Sequence, residues 1–268
     1  MTAHSKSSTA APDRDYGRRR LGWGALIGSI VAFILGAQLV AVFVVSGDGA
    51  DSSYATVRSA MRSEVVPDLL GALFAIALIV VLGWTHVVRR ESIRTRWWLL
   101  IVPASMLGAS IAFVDFGHLA DVDSSLVMAL ALGTLTTGLS EELMFRGVTL
   151  QAMRDKYPEQ RAAIATALLF GSAHLINVIV VGGAAIFQAI IATALGYMLY
   201  LCRRVSGGLV LPIVVHWVWD FSTYSSEVGV DDVDGSDTTF YLFLLTLGLV
   251  AVIIIGRRHI DRAVVAAS

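Results

Sequence analysis

The sequence predicts an all-α polytopic membrane protein, a bundle of about eight transmembrane helices enclosing an intramembrane polar cavity that would serve as an active site. Three observations point there. Of 268 residues, 56% are hydrophobic and only 15% charged, against about a quarter charged in an ordinary soluble domain, and the mean hydropathy is +0.72. Uncharged apolar stretches recur along the chain at about the 20-residue length that crosses about 30 Å of hydrocarbon. The loops between them alternate between arginine-rich and acidic, the asymmetry that orients membrane helices.

The first span, 21–45, is uncharged and follows a polar head carrying Arg14, Arg18, Arg19 and Arg20. It is longer than the about 7 to 15 residues of a secretory signal core, so it is expected to be retained. Segments 69–88 and 97–114 supply spans two and three. A fourth begins at Leu126 and reaches Glu141 and Glu142. From 162 to 202 no Asp, Glu, Lys or Arg occurs; as one helix this run would extend about 60 Å, twice the bilayer core. It must turn back, and Gly182-Gly183 is the place where it would do so, giving spans five and six. Segments 209–224 and 239–255 supply spans seven and eight.

Loop charge tests this count. Arg18 to Arg20 precede span one, Arg89, Arg90, Arg94 and Arg96 follow span two, and Arg154, Lys156 and Arg161 follow span four. Arg203 and Arg204 follow span six, and Arg257, Arg258 and Arg262 close the chain. The intervening loops hold Asp115, Asp121 and Asp123, then Glu227, Asp231, Asp232, Asp234 and Asp237; only 46–65 mixes signs. Both termini are therefore expected in the cytoplasm. Eighteen arginines against two lysines hint at a GC-rich bacterial genome, hence a bacterial inner membrane. The chain divides into a cytoplasmic tail (1–20), helices one to three (21–120), a core of helices four to seven (121–226), and an acidic loop, last helix and cytoplasmic tail (227–268).

Composition removes several function classes. Twenty basic residues offset twenty-one acidic ones, for a net charge of -1, so no basic field exists to hold nucleic acid. The single cysteine, Cys202, permits neither an intrachain disulfide nor a four-thiolate metal site. The acidic 227–237 segment lacks EF-hand spacing and reads as a solvated loop.

Ionisable residues at bilayer depth cost at least about 2.5 to 3.5 kcal/mol and are functional candidates by default. Three clusters qualify. Glu141, Glu142 and Arg146 form an EExxxR pattern on span four, with Glu142 and Arg146 at the i,i+4 spacing of an ion pair. The two carboxylates stand about 100° apart on a helix, so Glu142 is expected to be neutralised by Arg146 while Glu141 faces the bundle interior, free to exchange a proton. Span five carries Phe170 and His174, with Asn177 one turn on along the same face. Span seven carries His216 and Asp220 at i,i+4, where a carboxylate can fix an imidazole's tautomer. Taken singly, the three clusters also read as a salt-bridge patch at a helix end, a packed hydrogen-bonded histidine and polar glue between helices, respectively.

Depth brings them together. At 1.5 Å per residue, Glu141 lies about 20 Å from Arg154, His174 a similar distance from Arg161, and His216 about 18 Å from Arg204. All three fall in one layer, on helices of alternating direction. A carboxylate and imidazoles in one water-accessible cavity are the groups that activate water against an amide. Other intramembrane hydrolase signatures, HExxH, GxSG and paired YD and GxGD aspartates, are absent. His4, His86, His118 and His259 fall at span ends, in loops or in the polar tail.

From span four through span seven the chain resembles the CAAX prenyl protease and bacteriocin-processing family (CPBP, or Abi) of intramembrane endopeptidases. The motifs occur in order: EExxxR as Glu141, Glu142 and Arg146, FxxxH as Phe170 and His174, and HxxxN/D as His216 and Asp220. The resemblance implies that Glu141, assisted by His174, activates water, that His216 and its i+4 partner stabilise the oxyanion, and that Glu142 and Arg146 hold the site together. Many family members have Asn where this chain has Asp220. An ionised carboxylate cannot donate to an oxyanion, so Asp220 is expected to orient His216, which donates. No cofactor is expected; if the enzyme is metal-dependent, Glu141, His174 and His216 would be three zinc ligands with water as the fourth. The implied partners are the lipid bilayer and a peptide or membrane-anchored protein cut near its carboxyl end. A proton-coupled transporter or a non-catalytic immunity or scaffold protein would use the same polar residues.

Overall fold

A computed structural model describes residues 19–45, 53–91 and 95–230, and every regular element among them is helical. The eighth span expected at 239–255 and the basic segments of both tails lie outside the described residues, apart from Arg19 and Arg20. The first helix, α1 (Trp23–Val45), carries Leu26, Ile30 and Phe33 on a buried stripe, while Ile27, Val31 and Leu35 are exposed. Large apolar side chains facing outward over residues 23–35 suit a lipid environment rather than water.

The second helix, α2 (Val57–Val81), differs in register from the expected span 69–88. It starts earlier because Thr56 and Ser59 form a capping box, Thr56 Oγ1 accepting from the Ser59 amide at 3.0 Å. It stops earlier because Gly83 takes a φ of 71°, which L side chains avoid. The remainder becomes a short helix, α3 (Thr85–Arg89). Next come α4 (Trp97–Phe113) and α5 (Phe116–Asp121), the latter in a stretch expected to be loop.

The long helix α6 (Ser124–Arg154) is capped by Asp123, whose carboxylate accepts from the Ser125 hydroxyl and amide, which hold it below its ordinary pKa. Helix α7 (Glu159–Ala173) tightens into a 3-10 turn, His174–Asn177, followed by α8 (Val178–Val181). The chain then reverses at Gly182, with φ 58°, where the hairpin is expected. Helices α9 (Ala184–Ser206) and α10 (Val210–Tyr224) complete the described bundle. The core lies where α9 packs on α7, α10 on α6 and α4, and α2 on both α6 and α1.

Three of these helices, α2, α6 and α9, are long and apolar enough to cross a membrane, and Trp23–Gly36 and Trp97–Phe113 are shorter apolar helices. Helices α7 and α10 have 15 residues each, about 22 Å of rise, less than the about 30 Å hydrocarbon core. A second difference concerns charge. Arg203 and Arg204, counted above as loop charges, are buried, as is Glu91.

Candidate active site

The site starts with a change of helix type. From Glu142 to Thr149, α6 is π-helical, with i→i+5 hydrogen bonding. Such segments are rare and concentrate at functional positions. Glu142 and Arg146 meet as their spacing predicts, Arg146 Nη1 donating to Glu142 Oε1 at 2.6 Å, both fully buried. Arg146 Nη2 donates to the Gly196 carbonyl on α9 at 3.1 Å, and its guanidinium lies 4.2 Å from the Phe170 ring centroid. A Cβ at Gly196 would come 3.0 Å from Phe170 and 3.3 Å from Arg146 Nη2, so glycine here makes room for the guanidinium and the ring beneath it.

His216 comes in from α10. The approach is close because a Cβ on Gly138 of α6 would meet the Trp217 amide nitrogen at 3.2 Å and His216 Cβ at 3.5 Å. The imidazole then sits among three carboxylates. Nδ1 is 3.0 Å from Glu142 Oε1, while Nε2 is 3.4 Å from Asp220 Oδ2 and 3.7 Å from Glu141 Oε2. A carboxylate accepts only, so the hydrogen bond to Glu142 puts a proton on Nδ1. The ring is thus oriented by Glu142, whereas Asp220, for which that part was expected, lies against the other nitrogen. Side-chain exposure of 20% for Glu141 and 19% for Asp220 leaves these two open, while Glu142 and Arg146 are sealed behind them.

Phe170 joins the third cluster. Its ring is buried and makes edge contacts with His174 at 5.0 Å, His216 at 6.0 Å and Phe145 at 5.0 Å between centroids. His174 Nδ1 donates to the Phe170 carbonyl at 3.0 Å, which puts the proton of the neutral ring on Nδ1 and the lone pair on Nε2. Among the described residues no hydrogen bond joins His174 to Glu141 or His216; the shared contact is Phe170. Helix α7 reaches this position by lying against α9 at Gly171, where a Cβ would come 2.5 Å from the Ala189 carbonyl oxygen and collide with Thr193. Asn177 stands apart, donating to Gln188 Oε1 at 2.9 Å and tying the α7–α9 hairpin together.

One carboxylate beside the site escapes sequence reasoning. Asp68 on α2 accepts from Thr137 Oγ1 at 2.5 Å and Ser140 Oγ at 3.1 Å, both on the turn of α6 leading into Glu141. Beginning span two at 69 leaves Asp68 in a loop by one residue; its position within an apolar helix is the signal that marks it.

Among the described residues no three His, Cys, Asp or Glu side chains gather as a metal-holding set. Glu141 and His216 are neighbours, but both ring nitrogens of His216 face carboxylates. A cavity of about 500 Å³ lined by Thr85, His86, Arg89 and Arg90 belongs to another part of the molecule. The arrangement places a partly exposed carboxylate beside an oriented imidazole, the pairing that general-base attack of water on an amide requires.

No curated protein and no solved structure matches the chain. The helices that build the site do find a match: residues 123–222 fit the family model described as type II CAAX prenyl endopeptidase, Rce1-like. The stretch holding Glu141, His174, His216 and Asp220 is thus similar to the Rce1-like endopeptidases, consistent with the CPBP family.

Proposed function

We propose that the protein is an intramembrane endopeptidase hydrolysing a peptide bond near the C-terminus of a membrane-associated protein or peptide. The observation that carries this reading is the 3.7 Å separation of His216 Nε2 and Glu141 Oε2, with Glu142 holding Nδ1 from behind. Glu141 takes a proton from water as the water attacks the scissile carbonyl, and returns it to the amine nitrogen as the tetrahedral intermediate collapses and the C–N bond breaks. A proton on His216 Nε2 is then available to the tetrahedral oxyanion, since Nδ1–H is committed to Glu142. Asp220 offsets the charge of the ring. His174, whose Nδ1 donates to the Phe170 carbonyl, assists water activation through Nε2.

This chemistry runs without a metal, because the steps above use both nitrogens of His216 and the Glu141 carboxylate. Activity is expected to survive exhaustive chelation. The Rce1-like match supports a CAAX-type protease at the family level, which favours this reading over a transporter or a scaffold. The family acts on prenylated, membrane-anchored substrates, and a membrane-anchored tail is the proposed substrate class, in a bacterial inner membrane with both termini cytoplasmic. Glu141→Gln tests the assignment: peptide cleavage should be lost while membrane level and folding persist. Cleavage at the wild-type rate in that variant would overturn it.

A further inference from the structure

Returning from a π-helix to an α-helix leaves one carbonyl behind. In α6 the Leu150 amide donates to the Phe145 carbonyl, an i→i+5 bond, and the helix is α from Leu150 to Arg154. With α spacing resumed from Leu150, the i→i+4 pattern pairs the Gln151 amide with the Gly147 carbonyl. The carbonyl between them, that of Arg146, is passed over. It is buried inside the bundle, where an unpaired acceptor is costly.

Arg203 of α9 supplies the missing donor. Its Nη1 donates to the Arg146 carbonyl, its Nη2 to the Val87 carbonyl at 2.9 Å, and its Nε to Glu91 Oε2 at 3.0 Å. The side chains of Arg203 and Glu91 are both 0% exposed, and Glu91 Oε2 also lies 3.0 Å from Arg154 Nη2. Helix α9 therefore grips Arg146 twice, by its guanidinium through the Gly196 carbonyl and by its backbone through Arg203. Beyond Arg146 the contacts run on to Glu142 and then to His216 Nδ1. Nothing in the spacing of Arg203 signals this; next to Arg204 it reads as one of two boundary charges.

We infer that Arg203 is a positioning residue of the site: by donating to the Arg146 carbonyl it fixes the π register that presents Glu142 to His216, and Glu91 fixes Arg203. Only a guanidinium can do this, because three acceptors spread over α6 and the 87–91 segment need the planar fork of donors. A lysine would keep the charge opposite Glu91 and lose the fork. The inference rests on the proposed hydrolysis for its kinetic consequence alone, and the register has a readout of its own.

The test compares wild type, Arg203→Lys, Arg203→Gln and a control, Glu159→Gln, in proteoliposomes. Glu159 lies in the same polar cluster, paired with Arg154 and Tyr200, but makes no contact with the π segment. With ¹⁵N-labelled histidine and no substrate, the His216 Nδ1 resonance, assigned by its absence in His216→Gln, should shift in Arg203→Lys and stay put in Glu159→Gln. On a peptide substrate, kcat should fall by about 100-fold in Arg203→Lys, the scale of an ångström-level misplacement, with KM within twofold. Arg203→Gln should do no better than Arg203→Lys. A wild-type Nδ1 resonance in folded Arg203→Lys, or an equal shift in Glu159→Gln, would overturn the inference. If even wild type cleaves nothing, the hydrolytic reading fails, while the resonance still decides the role of Arg203.

Discussion

Replacing Glu142 by Gln removes one negative charge from a place where two cationic or proton-donating groups meet it. Its Oε1 accepts from Arg146 Nη1 at 2.6 Å and from His216 Nδ1 at 3.0 Å, and neither Glu142 nor Arg146 reaches solvent. A glutamine can still accept, but it takes away the carboxylate charge paired with the Arg146 guanidinium and leaves that cation beside the neutral Gly196 carbonyl and the face of Phe170. Breaking a buried ion pair by removing one partner costs about 3 to 5 kcal/mol, because the surviving charge is stranded. Glu142→Gln should therefore destabilise the folded protein by about that amount, measured by reversible unfolding in mixed micelles. Arg146→Met should cost a similar amount, stranding the carboxylate instead. The double variant should cost far less than the sum, since removing both charges relieves each. Single-variant costs below about 1 kcal/mol, or additive costs in the cycle, would refute the account of this pair as the buried support of the site.

Other substitutions probe separate contacts. Gly171→Ala drives a methyl group against the Ala189 carbonyl and Thr193, so α7 must move off α9; the expected loss is about 1 to 3 kcal/mol of stability with reduced turnover as His174 shifts, whereas exposed Ser172→Ala should change neither. Asp220→Asn should leave turnover within about tenfold of wild type, or 1.4 kcal/mol, because Glu142 rather than Asp220 holds the His216 ring; complete loss of cleavage would count against that division of roles. Asn177→Ala removes a single hydrogen bond to Gln188 and should lower stability by about 1 kcal/mol while kcat stays within twofold, since Asn177 stands outside the site.

Much of this architecture is readable without coordinates where it depends on local chemistry. The Gly182-Gly183 reversal follows from an uncharged run too long for one crossing, and Gly182 adopts the positive φ the turn needs. The Glu142–Arg146 pair follows from its spacing. The meeting of span four with spans five and seven follows from matched depth on separate helices. What stays hidden depends on contacts between distant segments. Residues 142–149 contain no proline or unusual run to announce a π segment; its register is held by Arg203, more than fifty residues away, and by Gly196. Arg203 and Arg204 look like boundary charges because their partners, Glu91 and Glu159, sit in other elements. The orientation of His216 is hidden for the same reason: the i+4 residue Asp220 is the visible candidate, and the residue that holds Nδ1 lies on α6. Asp68 escapes because the start of α2 is set by a capping box rather than by hydropathy.

The central claim is that Glu141 and His216 direct water at a peptide bond. Purified protein in liposomes, given a membrane-anchored peptide in H₂¹⁸O, tests it by mass spectrometry of the products. The account expects a single cut near the carboxyl end, with one ¹⁸O atom in the new carboxylate of the anchored fragment and none released by Glu141→Gln. An intact peptide with folded wild-type protein, or equal cleavage by both proteins, would contradict it.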